Sequence, residues 1–348
     1  MLTSVVAFII VFTILAVAHE LGHLIWAKRA GIRVFEFGLG FGPRLFAFRK
    51  KETVYSLNLV PILAFVRIAG EGETDEDKAC PENEKYQAKT PWQKFKTLVA
   101  GPAMNLVVAL IILILMSLVV GVPTGASFEI ASVNKDQPAA LAGIKAGDKL
   151  LTINSRKFKK MEEAVEFIHK SPRQPLTLLI ERGGERLKFK ATPRYNEKLK
   201  VGLLGFTPKL DYLRTNPLRS IYYGIEQTVS LVLLTLIIVG KLITGGVSLA
   251  DLAGPVGIAQ ITGKYAQTGL VSLLYFTAFL NINVGVLNLL PIPALDGGRI
   301  VFVIIEWLRK KPLDPRLENK INYWGFVVLL ALMALVSAHD ILRLFRGQ

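Results

Sequence analysis

The chain has 348 residues, of which 51% are hydrophobic and only 20% charged, with a mean hydropathy of +0.42. This excludes a disordered chain and an ordinary cytosolic globule, both of which need a more polar composition. Forty-two Lys and Arg against 27 Asp and Glu give a net charge of +15, and the single cysteine, Cys80, excludes an intramolecular disulfide or a cysteine-based zinc cage.

The first element is an apolar run. Residues 2–18 carry no charge, and the pattern continues past His19, Glu20 and His23 to Ala27, long enough at about 1.5 Å per residue to cross a bilayer. A cleaved signal peptide is disfavoured, because no Lys or Arg precedes the run and no small-residue cleavage pattern follows it. Val34 to Pro43, Arg44 to Phe48 and Thr53 to Val60 then alternate like strands with glycine kinks, predicting a small sheet beside the first helix. Residues 71–84 form an acidic, solvated loop in which Cys80 has no assigned role. Thr97 to Phe128, Tyr265 to Leu295 and Ile321 to Ala338 are three further uncharged runs, each able to supply one spanning helix. Ile221 to Gly240 is apolar only in its second half, since Glu226, Gln227, Thr228 and Ser230 occupy its first.

Charge sets the expected topology. Lys28, Arg29 and Arg33 follow the first helix and Lys85, Lys89, Lys94 and Lys96 precede the second, which makes the segment between them cytoplasmic and the N-terminus external. Residues 121 to about 219 are then extracytoplasmic. If residues 221–242 form an interfacial or docked helix, the next spanning helix runs inward and Arg309, Lys310, Lys311, Arg316 and Lys320 fall in the cytoplasm, as the same rule prefers. The external residues 121–220 hold 19 Lys and Arg against 10 Asp and Glu, so a basic face toward anionic lipid is expected and nucleic acid is not a partner. Trp26, Trp92, Trp307 and Trp324 fall near helix ends as interfacial anchors, and His339 beside Asp340 is expected at the outer interface.

Within the external segment, short aliphatic or β-branched runs (Phe128 to Val133, Lys149 to Ile153, Leu176 to Ile180, Leu187 to Ala191) alternate with Gly, Pro and Asn turn signals. Met161 to His169 has helical spacing. A soluble α+β domain of its own is expected there.

The chemistry lies in the apolar runs. His19-Glu20-Leu21-Gly22-His23 is an HExxH pattern, which places two imidazoles one helical turn apart so that both reach one zinc ion, with the Glu20 carboxylate able to handle a proton of water beside it. Two His and a Glu in a spanning helix are costly unless they function. A third ligand must come from a matching depth. Asp296 follows a long uncharged run in Asn288-Leu-Leu-Pro-Ile-Pro-Ala-Leu-Asp-Gly-Gly298, where Pro291 and Pro293 break the helix ahead of it.

HELGH at 19–23, Gly101-Pro-Ala-Met-Asn105 and NLLPIPALDGG at 288–298 together resemble the site-2 protease family of intramembrane zinc metalloproteases, in its bacterial branch with an inserted PDZ domain. Gln137 to Asn154, with its Pro-Ala-Ala helix and Gly-Asp turn, resembles such a PDZ domain, and Val201-Gly-Leu-Leu-Gly-Phe206 its peptide-binding glycine loop. The resemblance implies an α-helical polytopic membrane protein of about four transmembrane helices, with a small membrane-associated β element and an inserted extracytoplasmic α+β PDZ domain. Its domains would be 1–120, 121–210, 211–264 and 265–348. It implies Zn2+ on His19, His23 and Asp296, Glu20 as catalytic base, and Asn283, Asn288, Pro291 and Pro293 beside the substrate. Single-pass membrane proteins would be the substrates, met in the bilayer of a bacterial plasma membrane and contacted through a peptide or ectodomain at the PDZ domain. Pre-trimmed anti-sigma factors and remnant signal peptides are the family's typical cases. Two features depart from the family: Pro61-Ile-Leu-Ala-Phe65 stands where many relatives have a Pro-x-Gly-Gly-Tyr-like loop, and there is room for one PDZ domain where some have two. A catalytically silent peptide-binding scaffold and a transporter are the competing classes; the HExxH-plus-Asp set argues against the first and the absence of an internal repeat against the second.

Overall fold

In lipid a backbone must satisfy its own polar groups, which leaves an uncharged run little choice but a helix. The first run forms α1 (Leu2–Arg29), closed by Lys28 and Arg29 in its last turn. The computed structural model describes residues 2–72, 74–197, 199–247 and 253–345, and divides into two compact units, Met1–Met116 with Ile221–Gln348, and Ser117–Ser220.

After α1 come β1 (Val34–Lys50) and β2 (Thr53–Ile68), paired antiparallel. Here the structure departs from the expected strands. Rather than stopping at Val60, β2 wraps around its partner, so that Glu36 to Leu39 pair with Val54 to Leu57 on one side and with Ala64 to Arg67 on the other. The reversal falls at Pro61, which has no N–H for a ladder, and at Leu63, whose φ of +71° turns the chain. Gly38 makes room for this fold, since a Cβ there would lie 2.3 Å from the Phe65 ring. A short helix, α2 (Asp75–Ala79), starts on Thr74, whose hydroxyl accepts the Asp77 N–H. The long helix α3 (Pro91–Val119) ends earlier than the uncharged run from Thr97 to Phe128 suggests. Gly121, at φ +111°, and Pro123 break it, and the rest of that run is strand.

The inserted unit comprises β3 (Val122–Val133), α4 (Pro138–Leu141), β4 (Lys149–Ile153), α5 (Met161–His169), β5 (Leu176–Arg182), β6 (Glu185–Ala191), β7 (Arg194–Asn196), β8 (Val201–Leu203) and β9 (Phe206–Leu213). Five strands form an antiparallel sheet in the order β6-β5-β4-β3-β9, and β7 pairs with β8. Its core holds Ile130, Ile153, Met161, Leu178 and Ile180, each at most 1% exposed. Beside it Arg182 grips the buried Asp148 through Nε and Nη2 at 2.6 and 2.7 Å.

The chain then forms α6 (Pro217–Ile243), α7 (Pro255–Thr268), α8 (Leu270–Asn288), α9 (Asp296–Arg309) and α10 (Pro315–Phe345). Five helices of the described residues, α1, α3, α6, α8 and α10, are long and apolar enough to cross a membrane, one more than the four anticipated. The addition is α6, which is docked on its neighbours: Gly224 lies against Ile114 of α3, and Thr235 donates to Asn283 of α8 at 3.0 Å. Val11 and Leu15 of α1 pack on Phe276 and Leu280 of α8. Leu24, Val34, Ile68, Leu98 and Ile300 form a second apolar cluster where α1, the sheet, α3 and α9 meet. Asp340 is buried and its Oδ2 accepts the Gly257 N–H, tying α10 to the start of α7.

Candidate metal centre

His19 and His23 project from one face of α1 with their rings edge to face, 4.8 Å between centroids. Their Nε2 atoms are 3.3 Å apart. His23 Nδ1 lies 2.8 Å from the Thr97 carbonyl of α3; a carbonyl only accepts, so Nδ1 carries the proton and Nε2 keeps its lone pair for the cluster. Asp296, first residue of α9, brings its Oδ2 to 3.2 Å from His19 Nε2 and 3.4 Å from His23 Nε2. It is not the helix cap, because Leu295 occupies that position.

Close packing makes this convergence possible. A Cβ on Gly101 would stand 2.3 Å from His23 Nε2, and one on Gly22 would stand 2.0 Å from the Ala100 carbonyl oxygen. Only glycine at both positions lets α1 and α3 approach this closely. Gly297 and Gly298 likewise sit against the backbone of Leu289 to Pro293, seating α9 under its own leading loop.

The donor set fits a zinc ion. Ligands held at about 2.0–2.1 Å in a tetrahedral shell are about 3.3–3.4 Å from each other, which matches the three separations here. Two imidazoles and one carboxylate supply three corners and leave the fourth open, the pattern of catalytic rather than structural zinc. Among the described residues, Asp296 Oδ2 and His19 Nδ1 are buried without a hydrogen-bond partner, and His19, His23 and Asp296 are the group brought within metal-binding distance.

Glu20 points into the same cavity of about 240 Å³, which is also lined by Val66, Tyr86, Thr97 and Arg299. Its Oε2 accepts the Val66 N–H at 3.0 Å, so the returning half of β2 fixes the carboxylate. On the far wall Arg299 pairs with Glu71 at 2.6 Å. Burial opposes the Arg299 charge, but Glu71 more than offsets it and holds the guanidinium pKa above its usual range. Burial also pushes the Tyr86 phenol up, so it stays neutral.

The remaining expected site residues are distributed differently. Asn283 accepts from Thr235 and donates to the Phe279 carbonyl. Asn288 is half-buried at the end of α8 and has no side-chain hydrogen bond within the described residues. Pro291 and Pro293 form the loop between α8 and α9, Pro291 exposed and Pro293 half-buried. Sequence reasoning missed Val66, Thr97, Glu71 and Arg299. The first two act through backbone atoms, which no residue type announces; Arg299, one turn beyond Asp296, was the signal available.

The family model of peptidase family M50 matches residues 7–332. The chain belongs to this family. It is 34% identical to the zinc metalloprotease RasP of Bacillus licheniformis, over 99% of this chain and 100% of that protein. It is 33% identical to the regulator of sigma-W protease RasP of Bacillus subtilis, over 98% and 99%. Among solved structures, the PDZ domain of an SdrC-like protein from Listeria innocua matches 26% of this chain and 99% of its own length, at 21% identity and a TM-score of 0.23. The M50 member described here is a zinc metalloendopeptidase and a multi-pass membrane protein.

Proposed function

We propose that the chain cleaves peptide bonds within the membrane-spanning segments of other membrane proteins, with zinc held by His19, His23 and Asp296 and with Glu20 as general base. The observation that carries this reading is the triangle of 3.2 to 3.4 Å drawn from two distant segments, with Glu20 one residue round the same helix. Zinc bound there supplies Lewis-acid polarisation of the scissile carbonyl and acidifies water. Glu20, with Oε2 anchored on Val66, offers its other oxygen to take a proton from water and return it to the leaving amine. The protonated Nδ1 of His23 on Thr97 keeps that ring oriented. Asn288, at the end of α8 and without a side-chain hydrogen bond among the described residues, is available to hydrogen-bond substrate backbone.

A helical substrate must be unwound before its amide is attacked, and the Ala64 to Arg67 rib lies at the outside of the sheet, beside Glu20. Strand addition along that edge would hold the substrate extended. Phe41, Leu45, Phe46 and Leu59, each more than half exposed, suit immersion of the hairpin in lipid. The N-terminus is external, the metal lies toward the cytoplasm, and the inserted domain is an extracytoplasmic PDZ domain that meets substrate ectodomains. This reading keeps α6 as a docked helix that does not complete a crossing. In its support, α3 runs opposite to α1, while α8 runs alongside α1: Gly263 of α7 abuts Ser4 at the start of α1, and α8 leads back to Asp296. The chain therefore leaves α3 and enters α8 on one side. The name of the Bacillus subtilis relative makes a membrane-bound regulator of a sigma factor the first substrate class to test.

Glu20→Gln decides the mechanism. In proteoliposomes with a tagged spanning substrate it should keep zinc and lose about 10²–10⁴-fold in cleavage rate; cleavage at the wild-type rate would refute the assignment of the base.

A further inference from the structure

We infer that Asn322 of α10 is a positioning residue for the metal centre, acting through the loop that delivers Asp296; this rests on the ligand set proposed above. Ala294, two residues before Asp296, has φ +72°, a left-handed conformation that a residue with a side chain seldom adopts unless its surroundings impose it. The imposing contact comes from a distant helix. Asn322 Oδ1 accepts the Ala294 N–H at 3.2 Å, across 28 residues of chain. One turn further along α10, Gly325 lies directly on the same loop, where a Cβ would stand 2.4 Å from Pro293 Cβ and 2.9 Å from its carbonyl oxygen. On the other side Gly298 packs on the Ile292 carbonyl. The loop is thus clamped between α9 and α10, and among the described residues the polar tie of its strained residue to α10 is the Asn322 amide.

The surroundings offer no substitute. The groove beside this contact is lined by apolar side chains such as Ile292, Leu317, Ile321 and Trp324 together with Lys320, whose ammonium can only donate, so an Ala294 N–H without Asn322 finds no acceptor side chain there. The strained conformation would relax, and the Asp296 carboxylate, whose separations of 3.2 and 3.4 Å from the two imidazoles must hold to a few tenths of an ångström, would shift with it.

The test uses the full-length protein in detergent and in proteoliposomes, with zinc affinity read by chelator competition, kcat and KM on a spanning substrate, and the thermal unfolding midpoint. Asn322→Ala should weaken zinc binding about 10–100-fold and lower kcat with KM and the unfolding midpoint of the zinc-free protein little changed. Asn322→Asp, which keeps an acceptor oxygen, should restore most of the affinity, and Leu317→Ala in the same groove should leave it as in wild type. The inference is overturned if Asn322→Ala binds zinc as wild type does, or if its affinity falls only together with zinc-free stability and the Asp variant gives no rescue. Wild-type protein that binds no zinc, or an Asp296→Ala variant that binds it normally, would instead refute the ligand set itself.

Discussion

At the scale of single residues, the metal centre depends as much on missing side chains as on present ones. His19, Glu20 and His23 were legible from spacing, because helical periodicity alone brings positions four apart onto one face. What the spacing could not say is that α3 would press against them so closely that Gly101 has no room for a methyl group. Gly101→Ala should therefore displace the His23 imidazole and reduce zinc affinity about 10–100-fold, an effect measurable by the same competition assay; unchanged affinity would mean that the helices separate at little cost. The setting of Asn283 was hidden for a comparable reason. An amide in a spanning helix can serve substrate or a neighbouring helix, and the donor that Asn283 accepts from here, Thr235 of α6, is remote in sequence.

Among elements, the clearest divergence is β2. Alternation marked the residues up to Val60 as strand, but period-two patterning carries no information about a strand that reverses and pairs on the far edge of its partner. Pro61 and Leu63 supply that turn, and its consequence is functional: Val66 arrives at Glu20. In the inserted unit, by contrast, Lys149–Ile153 and Met161–His169 match their predicted limits, since turn residues and amphipathic spacing bound them locally. That unit also carries a pH signature. Burial disfavours the Asp148 anion, but the Arg182 guanidinium and the Lys145 N–H outweigh it and hold its pKa below the usual carboxylate range. Its contribution to stability is present above the ordinary carboxylate pKa of about 3.9 and is lost as pH falls through the depressed native value. Asp148→Ala should cost about 1–3 kcal/mol near neutral pH, read as faster hydrogen exchange in β4 and β5 of the full chain. The gap to wild type should close as pH falls below that value; a gap that widened in acid would reverse the assigned sign.

For the whole molecule, the fold solves a problem of long-range registration. Asp296 must meet residues some 270 positions earlier at one depth, and only the arrangement of α1, α3, α8 and α9 achieves it. Hydropathy showed that apolar runs existed, and charge bias suggested their direction, yet neither settled α6, whose second half alone is strongly apolar. Cysteine labelling at the exposed Thr268, at the end of α7, separates the alternatives: a docked α6 predicts labelling from the outer face, whereas labelling from the cytoplasm would make α6 a full crossing. Convergence of two imidazoles and one carboxylate on a single cation is decided by zinc stoichiometry together with X-ray absorption at the zinc edge. Purified wild-type protein should hold one zinc per chain with two imidazole ligands. Asp296→Ala should lose that zinc, and retention of one equivalent in an unaltered environment would mean that Asp296 is not a ligand.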